Sequence, residues 1–513
     1  MMREHRANLN RIPSQSGYTA SGSSTDWHED TIVAISTATG RGAIGIVRLS
    51  GPQALEIVRA VFRPAGLPRL PDDTHVIHYG HIVDEAGGAT LDEVLVGVMR
   101  APRSYTREDV VEINCHGGPV AQRAVIRLLL ERGGRMAEPG EFTRRAFLNG
   151  RIDLAQAESV ASIVAARSTG ALRASLRLLE GGLSERLQTA RRELLGQLAS
   201  IEATVDFADE DVEEVDWLSV SEGLTGVGGQ LARLLDTAFL GRVLEQGVRT
   251  AIVGRPNVGK SSLLNALLMR ERAIVSDIPG TTRDTVEELM EIGGIPIHLV
   301  DTAGMRIGGD HVEQLGVQRS LRAMEHADLV LAVFDLAGVW DEADEALIGR
   351  LDPQRTIVVG SKLDLVGAGC EQDLLDRLRS ISGDSGPQSS ACVPGIRGAA
   401  DSGADTHGWL FCPVSVVTGE GLERLRQAIQ NLVTSDRGVH LEEPVLATER
   451  QRGLVAEALE ATGSAVEGIA HARGEELICE DIRAAVQALG RITGEELTPD
   501  LIDEIFSRFC LGK

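Results

Sequence analysis

The sequence predicts a multidomain chain of α/β plus α class: an N-terminal α/β domain, then a discontinuous helical domain into which a second α/β unit is inserted. Three observations carry this expectation. Short apolar runs bounded by Gly, Pro or Ser occupy residues 31–114, a stripe of helical period follows Phe142, and a strand, a glycine loop and a helix meet near Gly254 between two helical stretches. A chain of 513 residues, 43% hydrophobic and 25% charged, has the length for about three globular domains.

Composition narrows the function classes. Apolar runs are broken by Gly, Arg or Asp well short of the roughly 20 residues of a spanning helix, so a soluble, cytoplasmic protein is expected. The cysteines Cys115, Cys370, Cys392, Cys412, Cys479 and Cys510 form no C-x-x-C pair and no regular spacing. Neither a disulfide framework nor a zinc site is suggested, and a reducing compartment fits. A formal net charge of -24 argues against a broadly basic surface that coats nucleic acid, because phosphate contacts need Lys and Arg gathered on one face. An RNA partner would have to be gripped by a local patch or by another subunit.

The elements follow in order. Residues 1–29 carry Arg3, Arg6 and Arg11 among Ser, Gly and Asn, with no apolar stretch for a secretory signal. They are read as a disordered extension or a misassigned start in preference to a transit peptide. Residues 30–148 form the N-terminal α/β domain, with strands at Thr31–Ile35, Ile44–Leu49, Leu91–Met99 and Val110–Asn114. Residues 149–246 form the first helical part, where Leu154, Ala157, Val160, Ile163 and Val164 share one stripe and Leu172, Leu176 and Leu179 continue it. The inserted unit occupies 247–435, with 367–408 a Gly-, Ser- and Ala-rich surface insertion read as disordered. Amphipathic helices close the chain over 436–513. Two helical stretches that flank one compact α/β unit imply halves of a single domain meeting in space.

The inserted unit carries the chemistry. Strand Ala251–Val253 runs into Gly254-Arg255-Pro256-Asn257-Val258-Gly259-Lys260-Ser261, and a helix follows from Ser262 to Leu268. This is G-x-x-x-x-G-K-S in its strand-to-helix context. Glycines let backbone N–H groups face phosphates, the helix N-terminus adds its dipole, Lys260 neutralises β and γ oxygens, and the Ser261 hydroxyl suits Mg²⁺. In Gly280-Thr281-Thr282, the Thr282 hydroxyl is the second Mg²⁺ ligand expected. Strand Ile297–Val300 ends in Asp301-Thr302-Ala303-Gly304, placing a carboxylate near the metal and a glycine near the γ-phosphate. Strand Thr356–Val359 precedes Ser361-Lys362-Leu363-Asp364, whose carboxylate can accept both guanine N1–H and N2–H, a pattern adenine does not offer. The unit therefore reads as a Ras-like P-loop GTPase domain.

This unit resembles the translation-factor-related GTPases. It departs from their N-K-x-D pattern, since Ser361 stands where Asn braces the base and the P-loop. Ser415-Val416-Val417-Thr418-Gly419-Glu420-Gly421 is similar to their S-A-x-T-G-E-G, with amides of Ser415 to Val417 facing guanine O6. Met305 follows the D-x-x-G glycine, where many small GTPases place a water-orienting Gln, and a thioether does not perform that task. Arg283 and Arg306 are candidates for an arginine finger without a feature that singles either out.

Outside that unit the chain resembles the MnmE family of tRNA-modification GTPases. The matching segments are Asp30-Thr-Ile-Val-Ala, Gly40-Arg-Gly, Gly45-Ile-Val-Arg48-Leu-Ser-Gly, Glu108-Asp-Val-Val-Glu112, Cys115-His-Gly-Gly118-Pro, Pro139-Gly-Glu-Phe-Thr-Arg-Arg-Ala-Phe-Leu-Asn149, Asp153-Leu-Ala-Gln-Ala-Glu158 and the ending Phe509-Cys-Leu-Gly-Lys513. The resemblance implies a homodimeric, K⁺-activated GTPase whose G domains pair across their nucleotide faces, with K⁺ in the place of an arginine finger. Asn257, Ser276, Ile278 and Thr281 would hold K⁺, within the loop that includes Asp277 and Pro279, and Glu313 would orient the attacking water. It also implies that the N-terminal domain dimerises and binds a one-carbon tetrahydrofolate, with Arg48, Glu112, Arg151 and Lys513 at the contact positions. Cys510 lies near that expected site, and a lone Cys beside Phe509 reads first as packing. The implied function is GTP-driven addition of a carboxymethylaminomethyl or aminomethyl group to C5 of a tRNA wobble uridine, together with the FAD-containing partner MnmG. A ribosome-assembly switch of the Era or Der type would carry a KH domain or a second P-loop, and neither is found. A folate transferase with a merely structural G domain is the other alternative.

Overall fold

The computed structural model describes residues 30–38, 40–84, 88–206, 215–268, 288–300, 323–366, 409–434, 444–495, 498–507, 509 and 512. Two compact units are present, one from Met1–Ile152 with Thr498–Lys513 and one from Asp153–Leu497. No helix among the described residues is long and apolar enough to cross a membrane.

The first unit is built on a seven-stranded sheet. Its strands are β1 (Ile32–Ile35), β2 (Ile44–Ser50), β3 (Phe62–Pro64), β4 (Val76–Asp84), β5 (Ala89–Met99), β6 (Val110–His116) and β7 (Arg135–Met136), in the order β3-β4-β5-β6-β2-β1-β7. All pairs are antiparallel except β1 with β7. Helices α1 (Ala54–Val61) and α2 (Pro119–Glu131) cover one face, where Val94, Val96, Val98, Val111 and Ile113 meet Leu55, Val58, Val125 and Leu129 in a closed core. Period-2 alternation puts the intervening side chains on the other face, and there Ile77, Tyr79 and Leu95 stay exposed.

A third helix, α3 (Glu141–Leu148), is secured by a buried ionic cluster. Arg145, 1% exposed, pairs with Asp30 (2.6 Å), Glu141 (3.0 Å) and Glu108 (3.2 Å), and Arg135 adds a 2.6 Å contact to Glu141. Such charges survive burial only when each is paired and hydrogen-bonded. Against α3 lies the helix Pro499–Ser507: Arg144 pairs with Asp503 at 2.7 Å, Phe506 packs on Phe147 and Phe509, and a Cβ on Gly140 would stand 2.5 Å from the Phe506 carbonyl. These contacts group Thr498–Lys513 with the N-terminal unit. The expected second helical part, 436–513, is therefore divided, its last helix belonging with the N-terminal unit.

In the second unit, α4 (Leu154–Ala165), α5 (Thr169–Leu179), α6 (Gly182–Asp206) and α7 (Trp217–Gln246) are joined by the later helices Glu449–Ala470 and Glu475–Thr493. Leu187, Leu194 and Ile201 of α6, Leu224 and Leu231 of α7, and Val455, Ala458, Ile482 and Leu489 of the later pair form one core. The two sequence halves of the helical body thus meet. Glu158 of α4 receives Arg450 at 2.7 and 2.9 Å and Gln451 at 2.7 Å. Asp153 and Thr448 start α4 and Glu449–Ala470 with capping boxes closed by Gln156 and Gln451, each satisfying two otherwise orphaned N–H groups. Leu446 N donates to Thr237 Oγ1 at 3.2 Å, and a Cβ on Gly241 would lie 2.0 Å from the Leu446 carbonyl, so the returning chain lies against the last turns of α7.

Between those halves stands a six-stranded sheet of β8 (Val248–Val253), β9 (Glu288–Ile292), β10 (Ile295–Val300), β11 (Leu329–Asp335), β12 (Thr356–Ser361) and β13 (Leu410–Pro413). Its order is β13-β12-β11-β8-β10-β9, parallel throughout apart from the β9 edge. Parallel strands need both faces covered, and two apolar clusters cover them. One gathers Leu263, Leu267, Leu425 and Ile429, the other Met324, Phe334, Ile348 and Trp409. The β9–β10 hairpin also touches α5: Thr169 N donates to Glu291 Oε2 at 3.0 Å, Thr169 Oγ1 donates to Glu291 Oε1, and a Cβ on Gly170 would meet the Gly294 carbonyl at 2.2 Å.

Candidate nucleotide-binding site

Strand β8 lies between β10 and β11, and its C-terminal end opens the loop that leads into α8 (Lys260–Leu268). At Gly254, φ is +148° and a Cβ would stand 2.3 Å from the Val333 carbonyl, so only glycine lets the loop leave the sheet there. Gly259 has φ +101°. Asn257 takes φ +62° with an exposed side chain, a left-handed conformation that asparagine tolerates better than most residues. Ser261 and Ser262 are exposed in the first turn of α8.

Lys260 reaches back over the loop. Its Nζ donates to the Gly254 carbonyl at 2.8 Å and to the Arg255 carbonyl at 2.6 Å, and burial pushes its pKa down. A cation held on neutral carbonyls at the head of a helix keeps its charge available to an incoming anion, and phosphate burial would reverse the desolvation cost. Arg255 points away from this cradle. It pairs with Asp344 at 2.9 Å and with Asp341, and its Nη2 donates to the Val339 carbonyl at 3.0 Å.

The base-side residues come from two strand ends. β12 ends in Ser361, and a 3-10 turn, Leu363–Leu365, carries Asp364 outward. Ser415 Oγ donates to Asp364 Oδ1 at 2.6 Å while accepting from Thr418 N at 3.1 Å. A carboxylate oriented through one oxygen retains further acceptor sites for two parallel donors. Lys362, at φ +59°, pairs with Asp335 Oδ2 at 2.6 Å. Val416 is half-buried and Val417 exposed. Ser361 is 3% exposed; its Oγ stands 2.5 Å from the Val258 carbonyl and 3.1 Å from that of Phe334. The serine therefore still braces the P-loop, a contact that its departure from N-K-x-D had put in doubt.

Of the sequence-derived residues, Asn257, Val258, Gly259, Lys260, Ser261, Ser262, Ser361, Lys362, Asp364, Ser415, Val416 and Val417 gather at the C-terminal ends of β8, β12 and β13. Ser276, Asp277, Ile278, Pro279, Gly280, Thr281, Thr282, Asp301, Thr302, Ala303, Gly304 and Glu313 lie outside the described residues, as do Arg283, Met305, Arg306, Cys510 and Lys513. Asp335 is a participant that no motif announced. Its place at the end of β11 beside Ser361, its register partner, brings it to Lys362.

A second cluster lies in the first unit. Arg48 on β2 and Glu112 on β6 are register partners, joined at 2.7 and 2.8 Å through Glu112 Oε1. The Arg48 guanidinium lies 5.5 Å from the Tyr105 ring centre and Arg151 lies 4.7 Å from it. Arg151 also donates to the Tyr105 carbonyl at 3.1 Å, and Arg48 Nη1 reaches the Gly512 carbonyl at 3.4 Å. Two cations, one carboxylate and a ring that both cations flank make a surface suited to a flat, polar, anionic ligand. Tyr105 was not read from the sequence, where an aromatic in a polar loop carries no pattern.

Residues 31–151 match the family model described as GTP-binding protein TrmE N-terminus, and residues 154–510 match that of the MnmE helical domain. The chain is 46% identical over 488 residues to the tRNA modification GTPase MnmE of Moorella thermoacetica, covering 94% of this chain and 100% of that protein. Identity to the protein of the same name is 42% over 488 residues in Carboxydothermus hydrogenoformans, with the same coverage, and 42% over 486 residues in Geobacillus kaustophilus, covering 94% and 99%. With its P-loop and relatives similar along nearly its whole length, the chain is a GTP hydrolase that belongs to the MnmE family of tRNA modification GTPases.

Proposed function

We propose that this chain is a K⁺-activated GTPase that modifies C5 of a tRNA wobble uridine with a carboxymethylaminomethyl or aminomethyl group, drawing one carbon from a tetrahydrofolate. It acts in the cytoplasm as a homodimer with the FAD-containing partner MnmG. The observation that carries the GTPase half is the cradle itself: Gly254 and Gly259 in positive φ, Lys260 held over the loop, and Asp364 oriented by Ser415. Ser261 and Thr282 would hold Mg²⁺, while Asn257, Ser276, Ile278 and Thr281 would hold K⁺. The exposed Asn257 amide oxygen fits a weakly hydrated monovalent ion. These cations offset charge on the phosphates. Lys260 binds the β and γ oxygens, and Glu313 orients water where Met305 does not.

For the folate, the Arg48, Glu112, Tyr105 and Arg151 cluster supports the reading, with Lys513 as a further cation. Glu112 would accept from the amino-pyrimidine edge of the pterin, and the arginines would meet the carboxylate tail. Ile77, Tyr79 and Leu95 share the sheet face of Glu112, since the register runs Ile77, Gly97, Glu112 and Arg48 across four strands. Their exposure favours dimerisation through that face.

GTP turnover in KCl against NaCl tests the first half. A rate indifferent to the cation refutes it. Nucleoside mass spectrometry of tRNA from cells lacking the protein tests the second, and unchanged wobble uridines overturn it.

A further inference from the structure

We infer that Ser361 is a specificity-determining residue which makes recognition of guanine in this chain blind to N7. The inference rests on the GTP reading of the site and sharpens it. A serine has one O–H donor, and both acceptors within its reach are carbonyl oxygens, those of Val258 at 2.5 Å and Phe334 at 3.1 Å. Whichever carbonyl receives the hydrogen, no donor is left on that side chain. Guanine N7 is an acceptor and is read only by a donor. An asparagine at the same position would carry two N–H donors, enough for a P-loop carbonyl and a base acceptor together. Ser361 is also closed in: it is 3% exposed, and a Cβ on Gly259 would come within 3.8 Å of its Cβ and Oγ. With its hydrogen on the nearer carbonyl, that of Val258, the hydroxyl ties the P-loop to the end of β12. Base discrimination then falls to the edge that carries N1–H and the 2-amino group, faced by Asp364, whose rotamer Ser415 sets.

The test compares GTP, 7-deaza-GTP and ITP on the full chain by competition against a fluorescent GDP. Replacing N7 by C–H removes the acceptor, and inosine lacks the 2-amino donor. The wild-type protein is expected to bind GTP and 7-deaza-GTP within about twofold of each other, while ITP binds at least about tenfold more weakly. Ser361→Asn is expected to create a preference for GTP over 7-deaza-GTP of about threefold to tenfold. Ser361→Ala, which removes the brace and adds no donor, weakens GTP and 7-deaza-GTP equally. A wild-type preference for GTP over 7-deaza-GTP of about fivefold or more overturns the inference while the pocket stands. Indifference to ITP would instead overturn the Asp364 reading beneath it. The wild-type comparison decides the matter even where a variant fails to fold.

Discussion

Replacing Asp364 by Asn should convert a guanine site into one that rejects GTP. The carboxylate is exposed on a short turn and oriented by the 2.6 Å hydrogen bond from Ser415 Oγ, so on the proposed reading its remaining acceptor sites are open to the base. Guanine offers N1–H and N2–H there, and each hydrogen bond to a charged acceptor contributes about 1.5–3 kcal/mol. Losing both costs about 3 kcal/mol or more, which is at least about a hundredfold in affinity. The amide adds a donor-to-donor clash, whereas Ser415 can turn its hydroxyl to suit it. Xanthine, with a carbonyl in place of the 2-amino group, should recover affinity in the variant. Competition against a fluorescent GDP, with GTP and XTP run side by side, reads the effect. The melting curve should be unchanged, since exposed substitutions stay within about 0.5 kcal/mol. A loss of GTP affinity below about threefold, or no gain for XTP, would refute the assignment of Asp364 to the base.

Gly254→Ala should abolish nucleotide binding, because φ +148° and a Cβ 2.3 Å from the Val333 carbonyl force the loop to move; isothermal titration checks it, and near-normal GTP affinity would contradict the cradle. Arg145→Met removes the buried cation that Asp30, Glu108 and Glu141 share, leaving Glu108 without its cation and Asp30 and Glu141 with Arg135 alone, and should cost about 3 kcal/mol in urea unfolding. The same cluster predicts the acid limb of stability. Burial pushes the Asp30 and Glu141 carboxyls up, but hydrogen bonds and charge from Arg135 and Arg145 outweigh it, leaving both below the ordinary carboxylate range. Their folded values lie under their unfolded ones, so the stabilisation is complete above about pH 5 and fades as pH falls below about 4. The urea midpoint, followed from neutral pH downward, should be flat and then drop, and a rise on acidification would reverse the sign of the argument.

The strand into Gly254 and the helix after Lys260 were legible because local period and motif agree there. Asp364 and Ser415 were legible one at a time. Their mutual hydrogen bond was not, since it joins residues 51 apart in sequence. The contact of Ser361 was hidden for the same reason: motif comparison marks a missing amide, while the Val258 carbonyl that the hydroxyl finds is 103 residues away. Strand β4 escaped notice because Val76-Ile-His-Tyr-Gly-His-Ile-Val83 carries apolar residues on both faces, Ile77 and Tyr79 outward and Ile82 inward, which erases period-2 alternation. Arg48 and Glu112 emerged only through resemblance. Taken alone they are two ordinary strand residues, and it takes the β2–β6 register to set them side by side.

The junction at the end of α7 bears on what the insert costs the second unit. The chain departs at Gly247 and is back against Gly241 and Thr237 by Leu446, so to the helices everything between is one loop whose mouth is already shut. Lengthening such a loop costs only logarithmically in closure entropy, which leaves the helical core nearly indifferent to the size of its insert. The hydrogen bonds from Thr169 to Glu291 fasten the insert to α5 at a second place, so its seat on the helical core is not set by the junction alone.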